Sequence, residues 1–345
     1  MVQMYVVGSK DVVVADGGVQ KIFKLIRSRL ANATLPVLIQ GETGSGKEII
    51  AAAVHEWSRR HTGPFVAVNC AALPDNLIES ALFGHCRGAF TGADIDQQGL
   101  VRAASGGTLF LDEVGEMSEQ AQAKLLRFLE TKRVRPVGEH SEIPVDVRVV
   151  AATNRSLRAE VKQGRFRKDL YYRLRGATIK IPPLRDRPSD IDALAEKFLL
   201  DACTRAGTPM KKPTRGFIAE LHEHTWPGNV RELETAMNYL GVVVEDAQLS
   251  AEHFRSWCDA TVDLMFDSLM TGAGGHQTAD IVSFKPIADE LADLERDRMR
   301  RALIATDGRR NEAAALISMP LRTFTTKLKQ YQLDRMTFAP DRKHV

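Results

Sequence analysis

At 345 residues, with 44% hydrophobic and 26% charged side chains, the chain has the composition of an ordinary globular protein and room for one large domain and one or two smaller ones. Its formal net charge of +3 is too small to indicate nucleic-acid binding by itself. The charge is unevenly placed, because residues 309–345 contain eight Lys or Arg and only three Asp or Glu. The C-terminal end is therefore distinctly basic.

The sequence carries no sign of export or membrane insertion. No apolar stretch approaches the roughly 20 residues of a membrane-spanning helix, and the N-terminus lacks the basic-then-apolar pattern of a signal peptide. The four cysteines lack the spacing of a zinc site or a redox pair. We expect a cytoplasmic protein with reduced thiols and no membrane partner.

Short apolar runs rich in β-branched residues alternate with helical patterns in the first half of the chain. This alternation predicts an α/β fold with a parallel five-stranded sheet covered on both faces. The predicted strands cover residues 36–40, 65–68, 108–111, 147–152 and 177–181. Four of them are followed by Gly41, Asn69, Asp112 and Thr153. Because open α/β sheets bind ligands beyond the carboxyl ends of their strands, we expect a ligand site there.

Helical patterns replace the strands after residue 183, which predicts a small helical lid. A glycine-rich polar stretch at 271–278 indicates a linker, and a long amphipathic helix at about 286–306 precedes two shorter ones. The predicted organisation is a short N-terminal segment, an α/β core, the lid, the linker, a C-terminal all-α domain and a tail. Their bounds are 1–12, 13–183, 184–257, 258–284, 285–335 and 336–345.

A phosphate-binding loop is predicted between the first strand and a helix at 48–58. Its glycines let backbone N–H groups surround phosphates, while Lys47 reaches their outer oxygens. The alternative is a glycine turn that only begins a helix. Glu48 stands where Ser or Thr would normally bind Mg²⁺, so the metal has to depend on a carboxylate elsewhere. The loop residues are Gly41, Glu42, Thr43, Gly44, Ser45, Gly46 and Lys47.

Two adjacent acids end the predicted strand at 108–111. Asp112 is suited to hold Mg²⁺, and Glu113 to polarise the water that attacks ATP. Acid pairs at strand ends also occur in plain surface loops, so the assignment depends on the phosphate loop nearby.

Phosphoryl transfer also needs cations, which arginine supplies through its planar guanidinium group. Arg167 and Arg173 lie six residues apart, and Arg231 falls in the first turn of a predicted helix. The alternative for each is a solvated or structurally paired arginine.

These motifs together resemble the bacterial enhancer-binding proteins, the AAA+ activators of sigma-54 RNA polymerase, over about residues 13–333. The motif specific to this family is Gly88-Ala89-Phe90-Thr91-Gly92-Ala93. The stretches 42–48, 107–113 and 226–233 support it, and the family's acidic residue after the loop lysine accounts for Glu48.

The resemblance implies roles that the residues alone do not establish. Asn69 would be the switch partner of Glu113, Thr153 and Asn154 the first sensor, and Arg231 the second sensor. Arg167 and Arg173 would be arginine fingers that reach the nucleotide of a neighbouring subunit, so activity would require a ring, typically a hexamer.

The motif at 88–93 is predicted to form the contact with sigma-54. Its two glycines favour a compliant hairpin, with Phe90 and Thr91 at the tip as apolar and hydrogen-bonding groups. The alternative is an ordinary turn whose phenylalanine folds back into the core.

Two short helical patterns at 311–317 and 321–331 have the layout of a helix-turn-helix, which resembles the tail of the factor for inversion stimulation. Its second helix would enter the major groove of upstream double-stranded DNA, and a helical dimerisation tail is the alternative. The predicted DNA contacts are Arg322, Thr323, Thr325, Thr326 and Lys327.

The resulting hypothesis is an activator that binds DNA through dimeric tails, assembles into a ring, and uses ATP and Mg²⁺ to remodel sigma-54 RNA polymerase. Two alternatives remain. One is a general AAA+ remodeller of another protein, and the other is a repressor that uses ATP only to oligomerise.

Overall fold

The fold was analysed in a computed structural model of the chain. It describes residues 2–90, 93–139, 141–259, 296, 298–304, 306, 308–317 and 319–331, with the backbone alone at residues 75, 76, 322, 329 and 330. Two compact units divide at residues 271 and 272. Among the described helices, none is both long enough and apolar enough to cross a bilayer.

The centre of the first unit is the parallel five-stranded sheet that the sequence predicts. The strands are β3 (Val37–Gln40), β4 (Phe65–Asn69), β5 (Thr108–Asp112), β8 (Arg148–Thr153) and β9 (Ala177–Lys180). Their order is β4-β5-β8-β3-β9, and every neighbouring pair is parallel. The polar residues expected after three of the strands are in fact their last residues, because the hydrogen-bonded register continues through Asn69, Asp112 and Thr153.

Helices cover both faces of this sheet and bury two apolar clusters. One cluster contains Leu109 and Leu111 with the inner face of the helix at 119–131. The other contains Phe110 with the helices at 17–25 and 47–56. Alternate residues of β5 thus enter opposite clusters, as the two-residue period of a strand requires. The helices of the core are α1 (Gly17–Leu25), α2 (Lys47–Glu56), α3 (Asp75–Phe83), α4 (Leu100–Ala103), α5 (Glu119–Thr131), α6 (Leu157–Lys162) and α7 (Lys168–Leu174).

The N-terminal segment differs from the prediction. It is an antiparallel hairpin of β1 (Gln3–Val7) and β2 (Lys10–Val14), and it extends past the expected boundary at residue 12. Tyr5 of this hairpin stacks on Phe23 at 4.5 Å between ring centroids. No strands were predicted for this segment.

A helical lid follows the core, as predicted. It consists of α8 (Pro188–Ala206), α9 (Arg215–Glu223), α10 (Asn229–Val243) and residues 251–259 (α11). Two-residue strands also occur, β6 (Arg133–Val134) with β7 (Ile143–Pro144), and β10 (Lys212–Pro213) with β11 (Gln248–Leu249). The lid has its own core, which includes the fully buried indole of Trp226.

The described part of the second unit is helical. Residues 298–304 (α12), α13 (Arg310–Leu316) and α14 (Leu321–Gln330) match the three predicted helices, each within a few residues where it is described. Phe324 and Leu328 of α14 enter a small core with Met299, Leu303 and Ala313. The proposed linker at 271–278 lies outside the described residues.

Candidate functional site

The predicted phosphate loop has the backbone that a phosphate cradle requires. Gly44 and Gly46 have φ values of 74° and 102°, in the left-handed region that glycine adopts without steric cost. Helix α2 begins immediately afterwards at Lys47, so its unpaired N–H groups face the loop. A phosphate bound here would meet backbone amides and the positive end of the helix. The alternative of a mere glycine turn does not account for this arrangement together with the acids described next.

Lys47 and Glu113 meet at the centre of the site. The Lys47 ammonium is 6% exposed, lies 3.0 Å from Glu113 Oε1, and donates to the carbonyl of Gly41 at 3.1 Å. Glu113 stands directly after β5 with φ of 51°, a conformation that is uncommon for a residue with a side chain. Lys47 follows β3 and the loop, whereas Glu113 follows β5. The structure therefore brings the predicted phosphate-binding lysine and the predicted general base together from the ends of two different strands.

Asp112, the other acid of the pair, is half-buried at the end of β5. Burial raises the pKa of its carboxyl, and the neighbouring charge of Glu113 raises it further. The same surroundings raise the pKa of the Cys70 thiol to about 12, chiefly through burial and then through the charges of Asp112 and Glu113. Burial is the larger cause in both cases, and the negative charge of the acid pair adds to it.

Such an acid pair fits Mg²⁺, which is usually bound through one or two carboxylates together with substrate phosphates. In the described part of the chain, no cluster of three or more Asp, Glu, His or Cys side chains forms a dedicated metal cage. Glu48, which stands where Ser or Thr would normally bind the metal, is exposed in the first turn of α2.

The predicted first sensor contacts both the loop and the acid pair. The backbone N–H of Asn154 donates to Glu113 Oε2 at 2.9 Å, and its side-chain amide donates to the Thr43 hydroxyl at 3.1 Å. Thr153 is fully buried at the end of β8. Asn154 therefore connects the loop that would hold phosphate to the acid that would act on water.

Asn69 lies one strand away from these groups. It pairs with Asp112 in the register of β4 and β5, and its side-chain oxygen accepts from the Ala71 N–H at 2.9 Å. The hydrogen bonds of the Glu113 carboxylate described here go to Lys47 and Asn154 instead. The role of Asn69 as a switch partner of Glu113 stays a prediction.

The turn before α10 packs directly onto the phosphate loop. The Val230 N–H donates to the Gly44 carbonyl at 3.0 Å, and a Cβ placed on Gly44 would lie 2.1 Å from the Gly228 oxygen. The exposed side chain of Arg231, the predicted second sensor, starts beside Gly44, because its own Cβ lies 3.2 Å from that position. The lid thus presents Arg231 at the edge of the loop.

Two residues of this joint were missed by the sequence analysis. Asn229 is fully buried, and its amide donates to Thr43 O and Glu42 Oε2, both at 3.1 Å. Arg185 forms a two-pronged pair with Glu42 at 2.6 and 2.8 Å, and together with Asn229 it lowers the pKa of that carboxyl to about 2. Asn229 belongs to the stretch 226–233 that supports the family resemblance, but no role was predicted for it. No sequence pattern distinguished Arg185 from other surface arginines.

Of the two predicted arginine fingers, Arg167 directly precedes α7 and Arg173 lies on it, and neither contacts the groups just described. Arg167 pairs with Asp169 of the same chain at 2.8 Å, and the exposed Arg173 donates to the Leu129 carbonyl at 3.2 Å. Neither contact involves the phosphate loop of this subunit.

The predicted sigma-54 contact begins as a tight loop. Gly88 N donates to Ala93 O at 2.8 Å, which closes the base, and Ala89 N donates to Cys86 O at 3.1 Å. The Phe90 ring is 37% exposed and packs edge-on against His85 at 5.0 Å, so it is neither buried in the core nor fully extended. Thr91 and Gly92 lie outside the described residues.

The predicted DNA contacts lie on or beside the outer face of α14. Thr323 and Thr326 are exposed, Thr325 and Lys327 are half-buried, and the Thr325 hydroxyl donates to the Leu321 carbonyl at 2.8 Å. The side chain of Arg322 is outside the described residues. Phe324 and Leu328 point into the core, so the helix has the amphipathic division that was predicted.

Comparison with known families gives three matches in chain order. Residues 12–180 match the sigma-54 interaction domain, residues 185–263 the AAA+ ATPase lid domain, and residues 290–331 the Fis family of bacterial regulatory proteins. These matches cover the core, the lid and the C-terminal helices.

Individual relatives are bacterial regulatory proteins as well. The response regulator protein PilR of Pseudomonas aeruginosa is 42% identical over 89% of this chain, which spans 66% of PilR. The transcriptional regulatory protein FlbD of Caulobacter vibrioides is 39% identical, with 93% of this chain and 70% of FlbD covered. The DNA-binding transcriptional regulator NtrC of Escherichia coli is 38% identical, with 94% and 71% covered. The chain thus spans about two thirds of the length of these relatives.

A solved structure extends the likeness to three dimensions. NtrX from Brucella abortus in complex with ATP superposes with a TM-score of 0.66 at 27% identity, over 94% of this chain and 69% of NtrX. The same protein in complex with ADP gives the same score. The chain therefore belongs to the sigma-54-dependent transcriptional regulators, which combine a sigma-54 interaction domain, an AAA+ lid and a Fis-type helix-turn-helix.

Proposed function

We propose that this chain hydrolyses ATP within a ring of its own copies, a hexamer assembled from dimers, and uses the hydrolysis to remodel sigma-54 RNA polymerase and open promoters. The helix-turn-helix binds upstream DNA and brings the ring to its target. The observation that carries the proposal is the meeting of Lys47, Glu113 and Asn154 beside the phosphate loop, with Asp112 next to them at the strand end.

The residues divide the chemistry of hydrolysis. The loop amides and Lys47 hold the phosphates, Glu113 accepts the proton of the attacking water, and Asn154 keeps that carboxylate in place. Asp112 is the residue we assign to Mg²⁺, which supplies positive charge to the phosphate oxygens when it is bound with ATP. Arg231 adds a cation from the lid, and Asn69 is assigned to sense the state of Glu113.

Ring formation is supported by the placement of Arg167 and Arg173 at the start of α7 and on it. Phosphoryl transfer benefits from a guanidinium on the developing charge, yet Arg167 and Arg173 contact Asp169 and Leu129 of their own chain. We therefore assign them to the nucleotide of the adjacent subunit. The loop at 88–93 is assigned to sigma-54 because it presents a partly exposed Phe90 outside the catalytic groups.

Replacing Glu113 with Gln should leave ATP binding intact and abolish turnover, because the amide cannot accept the proton of the attacking water. Binding and steady-state hydrolysis are measured on the same preparation. Glu116→Gln is the matched control, since Glu116 lies one turn further on and pairs only with Arg155 among the described residues. Near-normal hydrolysis by Glu113→Gln would refute the assignment.

Replacing Asp112 with Asn should lower turnover and also raise the thermal unfolding midpoint without nucleotide. The raised pKa of Asp112 means that its charge destabilises the fold above the ordinary carboxyl pKa, and Asn removes that charge. The gain should be present at pH 7 and disappear near roughly pH 3, where both proteins are neutral at this position. Asp146→Asn, at an exposed carboxylate, should change the midpoint little. An unchanged midpoint would contradict the described electrostatics.

Mixing experiments test the arginines. Arg167→Ala and Arg173→Ala should each lose on the order of a thousandfold in hydrolysis, the scale associated with an arginine finger. Mixing either variant with Lys47→Ala should restore part of the activity, because a mixed ring contains some complete sites. Arg175→Ala, at an exposed arginine of the same segment, should hydrolyse ATP like the parent without being mixed with Lys47→Ala. If the arginine variants assemble normally and mixing restores nothing, they do not act on a neighbour.

Replacing Thr91 with Ala should separate hydrolysis from remodelling. The hydroxyl has no task in phosphoryl transfer, so ATP hydrolysis should persist while the nucleotide-dependent complex with sigma-54 and promoter opening are lost. Thr62→Ala removes the same hydroxyl at an exposed position and should retain all three activities. If the parent never binds sigma-54, a general AAA+ remodeller becomes the better interpretation.

A further inference from the structure

The start of the lid contains a buried ion pair that the proposed chemistry does not use. Arg187 and Asp190 have side chains that are 5% and 2% exposed, and they approach to 3.3 Å between Nη1 and Oδ2. Removing two charges from water is unfavourable unless hydrogen bonds satisfy their remaining donors and acceptors. The structure supplies such bonds on both sides of the pair.

On the Arg187 side, the partner is the phosphate loop. Nη2 of Arg187 donates to the Ser45 carbonyl at 3.0 Å. That carbonyl and the N–H of Gly46 belong to one planar trans peptide unit, so they point in opposite directions. By holding the Ser45 oxygen, Arg187 fixes the direction of the Gly46 amide, which is one of the groups we assign to phosphate.

On the Asp190 side, the partner is the segment between β2 and α1. Oδ1 of Asp190 accepts from the backbone N–H groups of Ala15 at 2.6 Å and Asp16 at 2.7 Å. Asp16 in turn caps α1 by accepting from the Val19 N–H at 2.9 Å. One carboxylate therefore joins the N-terminal segment to the lid while its other oxygen holds Arg187.

The geometry leaves Arg187 dependent on this carboxylate. Its Nε is buried and, among the described residues, has no hydrogen-bond partner. Displacing the segment at 15–16 would remove two hydrogen bonds from Asp190 and admit water beside the pair, which weakens the electrostatic hold on Arg187.

We propose that Arg187 and Asp190 are positioning residues that tie ATP affinity to the seating of the N-terminal segment. When residues 15–16 lie on Asp190, Arg187 keeps the Gly46 amide directed at the phosphates. When they are withdrawn, the loop loses that restraint and affinity falls. A force or partner acting on the N-terminal hairpin would thus regulate nucleotide binding without touching the nucleotide. The inference rests on the proposed phosphate site.

The first test replaces the pair with neutral residues in Arg187→Met/Asp190→Asn. Asparagine retains an oxygen for Ala15 and Asp16, and no unpaired charge is left, so the fold should persist. The ion pair and the bond to Ser45 are lost together, and of these only the bond to Ser45 acts directly on the loop. We expect a fluorescent ATP analogue to bind about tenfold more weakly, the effect of losing one hydrogen bond to a charged group, with turnover at saturating ATP retained.

The control for this variant is Lys197→Met. Lys197 pairs with Asp201 at 2.6 Å on the same helix α8 and has no contact with the loop among the described residues. It should match the parent in affinity, turnover and thermal midpoint. Parent-like affinity in the double variant overturns the positioning role, because the bond to Ser45 would then have no effect on phosphate.

The second test acts from the N-terminal side through Ala15→Pro. Proline removes the N–H that Asp190 accepts and restricts Val14 to the extended conformation it already has at the end of β2. ATP affinity should fall severalfold while turnover at saturation is kept. Unchanged affinity overturns the N-terminal link, and this variant decides the question if the double variant does not fold. If the parent itself does not bind the analogue, the proposed function fails instead.

Discussion

The close approach of the phosphate loop to the turn before α10 is the constraint on which the rest of the site depends. The Gly44 carbonyl accepts from the Val230 N–H at 3.0 Å, and no side chain fits between Gly44 and Gly228. Asn229 fills the joint, with φ of 53° and its oxygen accepting from the Leu184 N–H at 2.7 Å. Asparagine is among the few residues that adopt this backbone conformation at little cost. The lid is therefore fixed to the loop by backbone and amide groups rather than by apolar packing alone.

The contact between the phosphate loop and the turn before α10 explains why charged groups with no direct part in the proposed catalysis lie around the loop. Glu42 turns toward Arg185 and Asn229, and Ser45 turns its carbonyl toward Arg187. The bonds to the Ser45 and Thr43 carbonyls each restrain a peptide unit of the loop, while the bonds to Glu42 hold its side chain, so the loop is oriented before a ligand arrives. Preorganised dipoles cost no reorganisation during reaction, which is the main advantage of a rigid phosphate site. Asp112 is the opposite case, because burial and the adjacent charge of Glu113 disfavour its ionised form, and it is the residue we propose for Mg²⁺.

The sequence predicted the parts of this protein whose signals are local. The strand runs, the glycines, Lys47 and the acids at the end of β5 are all read from neighbours in the chain, and the parallel pairing of the strands follows from their alternation with helices, whereas the order of the strands was not predicted. Asn229, Arg185, Arg187 and Asp190 were not assigned roles, since their partners in the phosphate loop and the N-terminal segment lie more than 100 residues away in sequence. The N-terminal hairpin was not predicted for a different reason, because most of it lies before residue 13, where the resemblance begins.

The residues that complete the site lie far apart in sequence, and this affects the stage of synthesis at which the site can form. The loop is restrained only when all of its contacts are present. These come from residues 15–16, the acids at the end of β5 and the turn at 228–231. During synthesis, domains generally fold as units from the N-terminus. A ribosome-bound chain that ends before α10 would contain every residue of the glycine loop and yet lack the lid contacts that orient it. If affinity depends on these contacts as we propose, nucleotide binding arises only after the turn at 228–231 has emerged.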